Sequence, residues 1–266
     1  MTVLDGFDLG TGPLLLCVKS DHDRRVFLNA IGPIWNGNEV WLVTGGGALF
    51  AAFPQVYATV MSGFYDVFML VLTALIFRAA AIEFRGHRPG TRWRTTWDVV
   101  FAASSVLSAL LLGVAFGNIV WGIPLDSAHE FQGNLLTLLH PYALFTGLTA
   151  VVLFTMHANV YLVLKTDGPL QEKLMRWTKV TVPAYLACYV AFHVMTALTC
   201  PRIGAAFRQR PLVLGALFVV AVPVTANILR EVWKRRPGRA FASSCAALVL
   251  TASALQTPGK PRSWAR

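Results

Sequence analysis

The chain has 266 residues, of which 55% are hydrophobic and only 14% charged, and its mean hydropathy is +0.56. So little polar surface excludes a soluble globule, and several apolar runs long enough to span a bilayer give an all-α polytopic membrane protein of about eight transmembrane helices, the first and last shortened. The net charge of +10 does not indicate nucleic acid, because the Lys and Arg residues stand in short clusters between apolar runs, where topology and anionic lipid account for them.

In chain order, Met1 to Val18 would rise roughly 27 Å as a helix, barely a span, and reads as the second half of one. It lacks a basic n-region and is interrupted by Asp5 and Asp8, so the first helix itself is expected to serve as insertion signal. After the charged loop 19–25, apolar character runs nearly unbroken from Arg25 to about Phe84, about two spans. The chain must fold back once, near Phe53-Pro54-Gln55, where proline removes a donor and biases its predecessor away from helix.

A basic turn, Arg85 to Arg94, precedes a fourth helix from about Trp97 to Val120, and the connection from Trp121 to Asn134 contains no Lys or Arg. Further helices are expected from about Pro141 to Leu164, Thr178 to Thr199, Pro211 to Leu229 and Ala240 to Leu255. Residues 1–256 thus form one helical-bundle domain, and 257–266 a basic, proline-rich tail. Cys17, Cys188, Cys200 and Cys245 lack metal-type spacing and are expected to be buried free thiols.

The connections after the first, third, fifth and seventh spans are basic, and those after the second and fourth carry no Lys or Arg. The N-terminus should therefore face the periplasm or exterior and the basic loops the cytoplasm, with Arg202, Arg208 and Arg210 and the tail as exceptions. Counting rise along the first two spans puts Asp8 roughly 15 Å, Asn36 roughly 18 Å and Glu39 roughly 22 Å above the cytoplasmic face. Asp5, Asp8, Asn36, Asn38 and Glu39 then form a polar cluster near mid-membrane, with Asn36 and Glu39 on one helix face. Two readings stand open. The groups can bond one another and the unwound backbone around Pro33 and Gly37, or they can line a water-filled proton or ion route.

Elsewhere, His140, His157 and His193 have no ligand spacing and are expected to be satisfied or cavity-facing. Arg78 is expected to pair with Glu83 and snorkel to the cytoplasmic face. Gly45, Gly46, Gly47 and Gly63 are expected at close helix approaches, and Asp98 and Asn118 in solvated or interfacial positions near the ends of the fourth helix. Asp66, in mid-run, is a further polar candidate. A secondary transporter or channel using Asp8, Glu39 and Asp66 is the alternative; it would show an internal repeat of broken helices, and no second copy of Trp-Asn-Gly-Asn-Glu is present.

Asp5-Gly-Phe-Asp-Leu-Gly10, Ile31-Gly-Pro-Ile-Trp-Asn-Gly-Asn-Glu-Val-Trp-Leu42, Gly45-Gly-Gly-Ala-Leu-Phe-Ala-Ala-Phe-Pro54 and Leu75-Ile-Phe-Arg-Ala-Ala-Ala-Ile-Glu-Phe-Arg85 closely resemble subunit II of the cytochrome bd quinol oxidases. Gly113-Val-Ala-Phe-Gly-Asn118, Gly122-Ile-Pro124 and His157-Ala-Asn-Val-Tyr-Leu162 fit the same family in the same order. The resemblance covers roughly residues 5 to 166 by motif and the remainder by helix pattern.

This resemblance implies a haem-free subunit of a bacterial inner-membrane enzyme. Haems b and d and the quinol-oxidising loop sit on a partner, subunit I, and the complex oxidises quinol and reduces dioxygen to water in the aerobic respiratory chain. Subunit II supports assembly and proton supply, binds no haem itself, and leaves a structural quinone or lipid in it open. Trp35, Trp41, Gly45, Gly46, Gly47, Arg78, Glu83 and His157 are then packing or structural positions. Two departures stand out. The family usually reads Trp-Asp-Gly-Asn where this chain has Asn36, and an amide does not exchange a proton near neutral pH. The late start and basic tail are expected to reflect a misplaced start and a truncation or frameshift.

Overall fold

The computed structural model describes residues 2–124, 126, 131–200 and 211–254. The chain opens with α1 (Thr2–Leu16) and α2 (Asp21–Ile31), then α3 (Trp35–Ala52), α4 (Pro54–Gly63) and α5 (Tyr65–Phe84), which ends in a 3-10 turn, Arg85–His87. It continues with α6 (Thr91–Trp121), the single turn α7 (Leu135–Leu138), α8 (Pro141–Lys165), α9 (Gly168–Thr199), α10 (Pro211–Trp233) and α11 (Pro237–Ala254). Among the described residues four helices are long and apolar enough to cross a membrane on their own: α5 with its 3-10 turn, α6, α8 and α9. They correspond to the third to sixth spans expected from the sequence.

The expected second span is broken. Gly32 and Pro33 stand between α2 and α3, and Pro33 has no N–H to carry the helical ladder through. The fold-back also has two breaks rather than one. Phe53, held at φ −141° and ψ 66° before Pro54, ends α3. Phe64 (φ −108°, ψ 21°) then separates the ten-residue α4 from α5.

The sixth span starts ten residues earlier than expected. At 32 residues, α9 rises about 48 Å, well beyond a hydrocarbon core of about 30 Å. Its first turns therefore stand outside the apolar layer and carry Glu172, Lys173, Arg176 and Lys179 in helical form. Lys173 lies 5.2 Å from the Trp177 ring and Lys179 5.9 Å from the Trp233 ring, an arrangement typical of the headgroup level.

The centre of the bundle is α1 packed against α6 and α8. Small residues set these distances. A Cβ on Gly10 would collide with the backbone carbonyl of Phe154, and one on Gly113 would lie 2.7 Å from Gly147 Cα. Gly45, Gly46 and Gly47, expected at such approaches, have nothing among the described residues within 4 Å of an added Cβ, and Gly63 makes only ordinary contact with Phe131. The reason is that α3 lies on the outside of this chain, with Val40, Trp41, Val43 and Phe50 exposed.

All four cysteines are free, but only Cys200 is buried, and Cys17 is exposed. Arg202, Arg208, Arg210 and the tail 257–266 lie outside the described residues.

The four basic connections gather at one end. Ion pairs join the stretches after α1 and α5, and the apolar cluster holding Val18, Phe27, Leu162 and Leu174 joins the first connection to the fifth. Arg235 meets Glu172 across the α8–α9 and α10–α11 connections. At the opposite end, Tyr142 and Thr196 share a hydrogen bond of 2.8 Å, and Trp121 packs on His140.

Candidate functional site: two ionic clusters

One face of α1 carries Asp5 and Asp8, three residues apart, and both are buried. Asp8 is fully buried, and its Oδ2 accepts a 2.7 Å hydrogen bond from Asn38 Nδ2, which also donates to the Leu4 carbonyl at 3.2 Å. The next residue along α3, Glu39, pairs with Arg78 of α5. Arg78 is fully buried, lies 5.7 Å from the Phe101 ring, and stands near enough to Asp5, Asp8 and Glu39 for its charge to act on all three. Among the described residues Asp8 Oδ1 and Arg78 Nε and Nη2 have no protein partner, nor do Ser105 Oγ and Ser108 Oγ on α6. Gly12, one turn along α1 from Asp8, packs against Ser105, so these hydroxyls and the carboxyl line one seam.

A second cluster closes the basic end. Arg85 lies two turns beyond Arg78, on the same face and about 10 Å further along the axis. Its Nε donates to Asp98 Oδ1 at 2.5 Å, and its Nη2 to Asp98 Oδ2 at 3.3 Å and Asp21 Oδ1 at 2.7 Å. Arg24 reaches Asp98 Oδ2 at 3.0 Å, and Arg94 reaches Asp21 Oδ2 at 2.9 Å. Every carboxylate oxygen in this cluster therefore has a guanidinium partner. Burial acts on the Asp21 carboxyl in the raising direction, but the Arg85 hydrogen bond and the charges of Arg85, Arg94 and Arg25 outweigh it. Asp21 therefore titrates below the usual carboxylate range.

Of the residues singled out by sequence, Asp5, Asp8, Asn38 and Glu39 come together, with Arg78 added. Asn36 does not join them and is exposed. Two residues on a helix lie about 200° apart, so α3 can turn only one of its two asparagines toward α1, and it turns Asn38. The expected Arg78–Glu83 pair is absent too: five residues put the side chains about 140° apart, and Glu83 is exposed.

Trp35 is half-buried, Trp41 exposed, and Asp66 exposed. His157 packs between Phe7 and Phe241, with Nε2 3.0 Å from the Val3 carbonyl and Nδ1 2.9 Å from Ser244 Oγ, so both ring nitrogens are engaged in tying α8 to α1 and α11. Asp98 and Asn118 are buried rather than solvated; Asn118 donates to the Val114 and Leu138 carbonyls at 2.9 and 2.8 Å. Among the described residues no group of three His, Cys, Asp or Glu side chains converges to hold a metal.

The basic-end cluster was not foreseen from the sequence. Its signal was the hairpin joining α5 and α6, which brings residues 85 and 98 opposite each other once the turn between them closes.

Residues 1–261 match the family described as cytochrome bd terminal oxidase subunit II. The chain belongs to that family. It is 39% identical over 192 residues to the cytochrome bd-I ubiquinol oxidase subunit 2 of Escherichia coli K12, covering 70% of this chain and 51% of the relative. Against the cytochrome bd ubiquinol oxidase subunit 2 of Bacillus subtilis 168 the identity is 33% over 252 residues, 93% of this chain and 72% of the relative. A probable cytochrome oxidase subunit 2 of Haemophilus influenzae is 40% identical over 177 residues, 65% of this chain and 47% of the relative. The chain thus spans about half the length of the E. coli relative it matches. Family and apolar helices together make it a bacterial membrane protein.

Proposed function

We propose that the chain acts as the haem-free subunit II of a quinol-oxidising, dioxygen-reducing cytochrome bd complex, and that its inner cluster supplies protons toward a haem-bearing subunit I. The observation that carries the proton reading is the set of buried polar atoms left without protein partners around Asp8 and Arg78. Such atoms are ordinarily satisfied by ordered water, and a chain of water between carboxyl and hydroxyl groups is what proton transfer in a membrane requires. Three carboxyl groups face one guanidinium here, so the cluster has carboxyls to spare for holding and passing a proton. Asn38 orients Asp8, and Arg78 holds Glu39 beside it. With Asn36 outside the cluster, the exchange falls to Asp8 and Glu39. The N-terminus faces the periplasm or exterior in this reading, so the basic end meets the cytoplasm and protons enter there.

Partner binding is supported by the exposed side of α3 to α5. It combines Trp41, Phe50, Phe53 and Ile76 with the uncovered Gly45-Gly-Gly47, a surface suited to close approach by another helix. Haems b and d and the quinol site belong to the partner in this reading.

The test is quinol-driven oxygen uptake by the assembled complex carrying Asp8→Asn or Glu39→Gln, with the haem spectrum as the measure of assembly. Uptake should fall by about 10-fold or more while the spectrum stays intact. Uptake at the wild-type rate in both variants would refute the proton reading. A stable chain that never co-purifies with a haem-bearing subunit would refute the whole assignment.

A further inference from the structure

At the basic end, α8 to α11 surround a cavity of about 150 Å³ lined by Val163, Gln171, Met175, Val232, Arg235 and Pro237. Arg235 is the one charged residue in that lining, and its backbone is unusual. The Arg235 N–H bonds to the Val232 carbonyl at 3.0 Å and the Arg236 N–H to the Glu231 carbonyl at 2.9 Å, the double closure that ends a helix with one residue in the left-handed region. Arg235 is that residue, at φ +53°, and among the described residues it is the one non-glycine with positive φ. Glycine occupies this position with least strain, so an arginine here needs a use for its side chain.

Its contact within the chain does not supply that use. Arg235 Nη2 lies 3.4 Å from Glu172 Oε1, between side chains 70% and 54% exposed, and so long and solvated a pair contributes little. Most of the guanidinium's donors remain available at the mouth of a cavity whose other walls are mainly apolar. The stretches 165–179 and 230–239 around it hold nine basic residues and three acidic ones, and one of those acids, Glu231, is buried. Trp177 and Trp233 beneath their lysines mark this rim as the headgroup level.

We propose that this cavity seats the headgroup of an anionic phospholipid, with the phosphodiester forked by Arg235 and the glycerol and first methylenes lying against Val163, Met175 and Val232. A guanidinium fork matches phosphate oxygens, and a basic pocket between helices at the membrane surface favours an anionic lipid over a zwitterionic one. The inference needs only that the bundle lies in a bilayer, and it stands or falls independently of the proton reading.

The experiment is native mass spectrometry of the full chain, with any partner that co-purifies, in neutral detergent titrated with phosphatidylglycerol or phosphatidylcholine. The wild type should bind phosphatidylglycerol roughly five-fold more tightly than phosphatidylcholine. Arg235→Gly relaxes the turn, so it should raise thermal stability in lipid-free detergent while abolishing that preference. Arg235→Gln, which keeps the backbone as it is, should abolish it as well, and Arg88→Gln, in the α5–α6 turn, should leave it unchanged. The proposal is overturned if either Arg235 variant keeps the preference, if the wild type shows none, or if millimolar inorganic phosphate displaces the lipid, which would make this a site for a soluble anion.

Discussion

Arg78 in α5 and Arg85 in the 3-10 turn that follows it lie two turns apart along one face, and their surroundings differ: one ionic network closes on itself and the other stays open. Arg85 meets two aspartates that are also bonded by Arg24 and Arg94, so every carboxylate oxygen is matched and the cluster closes on itself. Arg78 meets one glutamate directly, and among the described residues two of its nitrogens and one oxygen of nearby Asp8 have no protein partner. A closed network of this kind rigidifies a junction of three chain segments. An open one leaves places for water and for a proton to change owner.

The sharpest way to break this comparison is to remove one carboxylate from each cluster. Asp98→Ala leaves Arg85 buried without its main partner and should cost about 3–5 kcal/mol, seen as a large drop in thermal unfolding temperature or as loss of folded protein from the membrane. Asp8→Asn keeps the shape and breaks no direct ion pair, so it should move stability by less than about 1 kcal/mol in the same assay. If the two variants are equally damaging, the distinction between the clusters fails. Gly10→Ala should fall between them. Its methyl group forces α1 off the Phe154 backbone at an expected cost of about 1–3 kcal/mol, and on the proposed proton role of Asp8 it should lower oxygen uptake by the assembled complex as well, by pulling Asp8 away from Asn38.

The smallest effect concerns pH. Because the folded-state titration of Asp21 is depressed, its contribution to stability is present in full above about pH 4 and is lost as pH falls through the lower folded value. The gap in unfolding temperature between wild type and Asp21→Asn should stay constant from neutral pH down to about 5 and narrow below about 4. A gap independent of pH would remove Asp21 from the closed network.

The apolar runs made α8 and the end of α6 legible in the sequence almost to the residue, because a span needs length and hydropathy and both are local properties; α6 itself begins six residues earlier than expected, in a turn that carries Arg92 and Arg94. The start of α9 was not legible, since its first turns are charged and stand in water, where hydropathy is silent about helix. The carboxyl layer was half legible. Counting rise from Val18 for Asp8 and from Arg24 for Glu39 put the two in one layer but assumed an unbroken helix through Gly32-Pro33, and depth alone could not say whether Asn36 or Asn38 faces α1. Arg78 pairs with Glu39 rather than Glu83 because helical phase, not proximity in sequence, decides which side chains meet. Family membership was legible over roughly residues 5 to 166, carried by ordered motifs rather than by any single residue.

The contact between Gly10 and the Phe154 backbone has a mechanical meaning. Where two helices touch main chain to main chain, neither can slide or roll without a clash, so α1 is locked to α8 and the carboxyls of Asp5 and Asp8 ride on a fixed post. Nearby α3, exposed along most of its length, reaches Asp8 through Asn38. Any movement that opens the Asp8–Asn38 bond therefore has to come from α3, the helix whose outer side is free to respond to whatever lies against it in the membrane.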